Sequence, residues 1–204
     1  MRIRIVEIKQ ISDLGQGRHK ITLEDDSVFV LYKKELEKWE LVEGNQLSEE
    51  DFIKIKNEIL LKRAKKRGLH LLEKQGRSQS NLRAKLKEGF YPDDVIEQAM
   101  AYIESFGYLN DQILARNIVE SRRAQKSHME IVATLKSKGI QQETIWQVME
   151  EVYDESYEKE AIKYLMNKKR IHLESITQKE KNKFFNYLTR KGFSYDSIKS
   201  LMQC

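Results

Sequence analysis

The chain has 204 residues, 40% hydrophobic and 34% charged, with one proline and a formal net charge of +5. That balance excludes a disordered polyelectrolyte and points to a helix-rich protein long enough to bury a sizeable core. No apolar run approaches a membrane span, and the lone cysteine, Cys204, rules out an internal disulfide framework or a cysteine-rich zinc site. A cytoplasmic location is expected.

From Arg2 to Tyr32 the apolar residues recur with a period close to two: Ile3, Ile5 and Ile8, then Ile21 and Leu23, then Val28, Val30 and Tyr32. Turn residues at 15–17 and 25–27 separate three strands, which predicts a small antiparallel meander within residues 1–47. It would be marginal alone, so it should pack on the amphipathic segment around Leu36, Trp39 and Leu41 or on the first long helix.

Ser48 with Asp51 resembles a capping box and opens a helix carrying Phe52, Ile55, Ile59 and Leu60, running on past Gly68 to about Gln75. Ser78 caps a second helix ending at Gly89. Pro92, Asp93 and Asp94 start a third that reaches Phe106. The same plan recurs twice. A helix from Asn110 or Asp111 to near Gln125 is followed by a Ser127/Glu130 capping box and a helix over 143–152. A helix over 156–170 is then followed by a Thr177/Glu180 box and a last helix from Ser194.

A glycine marks each unit, at Gly89, Gly139 and Gly192, spaced 50 and 53 residues apart. Apolar residues keep step with it: Leu82, Val132 and Phe185 before, and Val95, Ile145 and Ile198 after. The fold is therefore expected to be mainly α, three tandem three-helix repeats (48–106, 107–154, 155–204) in an elongated array behind the β meander. Each glycine reads as a helix stop that needs positive φ.

Residues 1–55 carry 9 Lys and Arg against 12 Asp and Glu, while the remainder carries 28 against 20. Any polyanion should therefore meet the repeats. Their opening helices hold the basic runs: Lys62, Arg63, Lys65, Lys66 and Arg67; then Arg116, Arg122, Arg123 and Lys126; then Lys163, Lys168, Lys169 and Arg170. Helical spacing groups Lys62, Lys65 and Lys66 on one face, with Arg63 and Arg67 on its neighbour. The cations of the middle helices, such as Arg83 and Lys136, read as partners of helix dipoles. Tyr108 reads as a packing residue.

The segment Gly107-Tyr108-Leu109-Asn110-Asp111, followed by Ala115-Arg116, Ser121-Arg122-Arg123 and Leu135 to Ile140, closely resembles the central signature of the RecX family, bacterial regulators of the RecA recombinase. The resemblance covers about residues 56–204. There are two departures: Asn110 stands where the family usually has an acidic residue, and Leu86 lies three before Gly89 whereas Leu135 and Leu188 lie four before theirs.

The resemblance implies a protein that binds the RecA filament along its groove, lowers ATPase and strand-exchange activity, and limits filament growth in recombination, repair and SOS control. The basic opening helices are then the expected contacts to RecA or DNA. Binding to single- and double-stranded DNA should be weak and non-specific, and the protein a monomer. A direct DNA-binding helical module or transcription regulator is the alternative, separated by a preference for a specific site.

His19, His70, His128 and His172 form no metal-ligand pair, and no phosphate-binding glycine loop, nucleophile elbow or dinucleotide fingerprint occurs. No cofactor, metal or enzymatic activity is expected.

Overall fold

The structure, a computed structural model, describes residues 5–202, so Arg2, Ile3 and Cys204 lie outside the described residues. The chain divides between Leu109 and Asn110 into two compact units.

The first unit opens with strands β1 (Ile5–Asp13), β2 (Arg18–Leu23) and β3 (Val28–Tyr32). Positive φ at Gly15, Gln16 and Gly17, and at Asp26, makes the two tight turns. After the short helix α1 (Lys33–Lys38) comes a fourth strand, β4 (Gln46–Ser48), which the sequence reading omitted. The sheet is antiparallel with order β3-β2-β1-β4, and β4 is held by the Val6↔Leu47 pairing. Three residues with one leucine give no periodic signal; a non-local partner decides their conformation.

Helix α2 (Glu49–Ile55) starts on Ser48, whose hydroxyl accepts from Asp51 N. It passes through one wide π turn (Lys56–Leu60) into α3 (Leu61–Lys74). Helices α4 (Gln79–Lys87) and α5 (Asp93–Glu104) complete the first three-helix bundle. Gly68 is buried on α3, and a Cβ there would strike the Ile103 side chain of α5. The glycine that helix propensity merely tolerates is the one that lets α3 and α5 approach.

Ile8, Ile21, Leu23, Phe29 and Leu31 of the sheet share one continuous core with Ile55, Leu60, Leu82 and Ile103 of the helices. Each such side chain contributes about 1.5–3 kcal/mol when buried, before conformational entropy is subtracted. A sheet too small to stand alone is thus held by the bundle.

The second unit contains α6 (Asp111–Arg122), α7 (His128–Ser137), α8 (Gln142–Val152), α9 (Glu155–Lys169), α10 (Gln178–Arg190) and α11 (Tyr195–Met202). It forms two apolar cores, one from α6–α8 and one from α9–α11. Both expected capping boxes form, Ser127 with Glu130 and Thr177 with Glu180. The first also joins the two bundles: the Ser127 hydroxyl donates to the carbonyl of Lys191, and the Lys191 ammonium pairs with Glu130. Burial pushes the Glu130 carboxyl up, but the hydrogen bonds from Lys191 and Ser127 pull it below the ordinary glutamate range. Conversely, Glu130 holds the Lys191 ammonium above the ordinary lysine range.

The repeat glycines need one correction. Gly139 and Gly192 have φ of +75° and +82°, and the residue after each donates back to Leu135 O and Leu188 O, which closes the helix. Gly89 does not have positive φ; Phe90 does, at +60°. The left-handed residue falls four after the last core leucine, and in the first repeat that leucine, Leu86, lies one position nearer its glycine. Counted from the left-handed residue, the buried positions coincide: Leu82, Ile131 and Phe184 lie eight before, and Leu86, Leu135 and Leu188 four before. Ile96, Ile145 and Ile198 lie six after, and Met100, Met149 and Met202 ten after.

Candidate functional site

The five cations of α3 separate. Arg63, Lys66, Arg67 and His70, spaced as one helical face, line an open cleft of about 620 Å³ bounded by the sheet and by the C-terminal end of α4. Lys65 lies on the other side, its ammonium 4.2 Å from the centre of the Tyr102 ring on α5, and Lys62 is exposed. The face grouping expected from spacing alone therefore changes: Lys66 joins Arg63 and Arg67.

Arg63 forms the floor of the cleft. Its Nη2 reaches both carboxylate oxygens of Glu35 at 2.6 and 2.7 Å, and its Nη1 donates to Val30 O at 3.0 Å. The same guanidinium lies 4.7 Å from the Tyr32 ring centre. The geometry ties α3 to β3 and α1 with a charge-assisted pair. Arg18 at the start of β2 and Lys85 of α4 add positive charge from the walls. Lys85 pairs with Glu88 at 2.7 Å, whereas Arg18, Lys66 and Arg67 have no ion-pair partner among the described residues. Burial pushes the Tyr91 hydroxyl above its ordinary value, with Arg63 and Arg67 pulling the other way. None of Arg18, His70, Lys85 or Tyr91 was a sequence candidate for this site. His70 was recoverable from the spacing of α3; the others arrive through tertiary contact.

In the second bundle most of the cations are engaged. Arg116 pairs with Glu151 of α8. Arg122 Nη1 donates to Thr134 Oγ1 at 3.2 Å, and Lys126 reaches Glu130 at 3.4 Å. Arg123 is partly buried; its Nη1 donates to Val152 O at 3.1 Å and its guanidinium stacks 4.1 Å from the Tyr157 ring centre. It closes the C-terminus of α8, where a cation is favoured. In the third bundle, Lys169 sits 4.4 Å from the Tyr187 ring centre and Lys168 5.8 Å from that of Tyr164, while Lys163 and Arg170 are exposed. Arg170 terminates α9 in the left-handed conformation, φ +55°.

Tyr108, expected as a packing residue, is 63% exposed and stacks on Phe106, which meets Tyr102 edge-on. Among the described residues no helix is long and apolar enough to cross a membrane.

Cation-bearing opening helices in successive three-helix bundles, behind a small sheet, define a tandem helical repeat protein with basic surfaces. Residues 64–102 match the model of the first RecX three-helix domain, and residues 156–202 match that of the third. The regulatory protein RecX of Clostridioides difficile (strain 630) is 28% identical over 196 residues, covering 92% of this chain and 89% of that protein. That of Bacillus subtilis (strain 168) is 28% identical over 187 residues, covering 91% and 71%. A crystal structure of regulatory protein RecX superposes with a TM-score of 0.59 at 23% identity, covering 97% of this chain and 98% of that one. The crystal structure of RecX from Lactobacillus salivarius gives 0.58 at 21%, covering 70% and 94%, and these two likenesses speak for the fold. Over most of its length the chain is similar to these RecX regulatory proteins.

Proposed function

We propose that this protein is a cytoplasmic, monomeric regulator that binds the RecA nucleoprotein filament and mainly inhibits its ATPase, strand exchange and growth, in recombination, repair and SOS control. The observation that carries the reading is the recurrence of cations on the opening helix of each three-helix bundle, in a chain whose relatives are named regulatory proteins. A repeat protein offers successive surfaces to a polymer of identical subunits. The proposed contacts are Lys62, Arg63, Lys65, Lys66 and Arg67 of the first bundle, Arg116, Arg122, Arg123 and Lys126 of the second, and Lys163, Lys168, Lys169 and Arg170 of the third. Weak, salt-sensitive affinity for DNA accompanies them.

The test is a titration of the protein against RecA on single-stranded DNA, following ATP hydrolysis and filament lifetime. Inhibition that saturates at sub-stoichiometric protein is expected, and an unchanged ATPase and lifetime overturn the reading. Charge reversal of Arg116 and Arg122 should weaken inhibition; Arg123 is left intact because its guanidinium also holds α8. Binding to one DNA sequence in preference to others, without RecA, would instead mark a transcription regulator.

A further inference from the structure

We propose that the cleft between the sheet and α3 is a phosphate site that holds a segment of single-stranded DNA, so that the N-terminal sheet is part of the DNA-contacting surface. The inference rests on the reading above only in taking DNA as the polyanion that the protein meets.

Three cations, Arg18, Lys66 and Arg67, converge on one concavity without an ion-pair partner among the described residues. Like charges gathered against low-dielectric walls focus a positive potential and raise the local concentration of anions. Nearby acids do not cancel it: Glu35 is engaged by Arg63 and Glu88 by Lys85. Arg63, fixed by that pair and by Val30 O, keeps the sheet and α3 in register, so the site is preorganised.

The dimensions favour a strand over a single phosphate. Arg63 to His70 spans two helical turns, about 10 Å along the axis, and Arg18 faces them from β2. One phosphate reaches only part of that set; consecutive phosphodiesters reach all of it. Tyr91 and Tyr32 line the same cleft, and aromatic rings beside a cationic track suit unstacked bases, which a duplex does not offer. The sheet's contribution is specific: although residues 1–55 are net acidic, the cleft receives their Arg18.

The experiment uses the full chain and a fluorescein-labelled oligothymidylate, with anisotropy read across a salt series. Arg18→Gln/Lys66→Gln/Arg67→Gln should weaken binding at least tenfold at low salt. It should also flatten the salt dependence by about two in log K per log salt, since each phosphate contact on a single strand contributes about 0.7. Lys74→Gln, a charge on α3 outside the cleft lining, should leave both unchanged, and circular dichroism confirms that the triple variant is folded. Tyr91→Leu should weaken binding without changing the slope.

Equal affinity and slope in the triple variant overturn the proposal. So does displacement of the oligonucleotide by ATP or inorganic phosphate at concentrations far below those of competing salt, which would make the cleft a site for free phosphates. The RecA ATPase assay separates the two readings. If the triple variant binds DNA normally while the unaltered protein still inhibits RecA, the cleft proposal alone fails. If the unaltered protein binds the strand through the cleft but leaves RecA unaffected, the regulatory reading alone fails.

Discussion

Replacing Gly192 by alanine tests whether the left-handed stop of α10 is also a packing joint. The residue has φ +82°, and a Cβ there would lie 2.5 Å from Met129 Cε and 2.6 Å from Met129 Cβ. Gly107 has a similar φ of +71° with nothing within 4 Å, and so supplies the control. Both substitutions pay about 1–2 kcal/mol for a left-handed L-residue, less about 0.4–1 kcal/mol returned by the stiffer unfolded chain. The net is about 1 kcal/mol at Gly107. Gly192 adds an overpacking cost of about 1–3 kcal/mol, because Met129 Cβ is anchored to α7 and cannot swing away as the thioether can. The expected loss is about 2–4 kcal/mol, read by urea unfolding with hydrogen exchange to locate it in α10 and α11. Met129→Ala should recover part of it, since the Cβ clash persists. A Gly192→Ala loss no greater than that of Gly107→Ala refutes the reasoning.

Two further outcomes follow from the same unit. Glu130 titrates lower in the folded state than in the unfolded chain, so its contribution is present above the ordinary glutamate range and fades as pH falls through the depressed folded value; Lys191→Met should reduce that part of the acid sensitivity, with Ser127 and Lys126 retaining the rest, seen as a smaller drop in Tm between neutral and mildly acidic buffer. Glu158, buried, accepts from Ser194 N, Ser194 Oγ and Ser197 Oγ at 3.1, 2.6 and 2.7 Å, while Ser194 Oγ itself accepts from Ser197 N at the start of α11, so Glu158→Ala should take the acceptor from these three donors and loosen that cap, costing about 1.5–3 kcal/mol in chemical denaturation, with exchange protection lost first in α11.

The repeats were legible because their signals are local. Ser127 with Glu130 and Thr177 with Glu180 declare helix starts within four residues, and Leu135 and Leu188 declare stops by their distance to the following glycine. Gly89 misled because glycine identity was used as the ruler. The leucine spacing, together with Met100, Met149 and Met202, carried the true register and was already present in the sequence. β4 was not legible, since Leu47 becomes a strand residue only opposite Val6. The cleft was not legible either. Arg18 and Lys85 approach α3 through the packing of the sheet and of α4, and no spacing along the chain encodes that meeting.

This difference bears on how recurrent charge should be read. Cations fall on the opening helix of every bundle, but register does not decide availability. Arg116 and Lys126 are neutralised by Glu151 and Glu130, and Arg123 is committed to Val152 O and Tyr157, so much of the positive charge in the middle bundle serves its own packing. Lys66 and Arg67 are unpaired among the described residues, and Arg18 joins them from another element. A paired surface cation contributes little net attraction to a distant anion, whereas unpaired cations in a concavity reinforce one another. Charge substitutions ranked by pairing should therefore affect DNA affinity most in the cleft and least at Arg116, the reverse of a ranking by position within the repeat array.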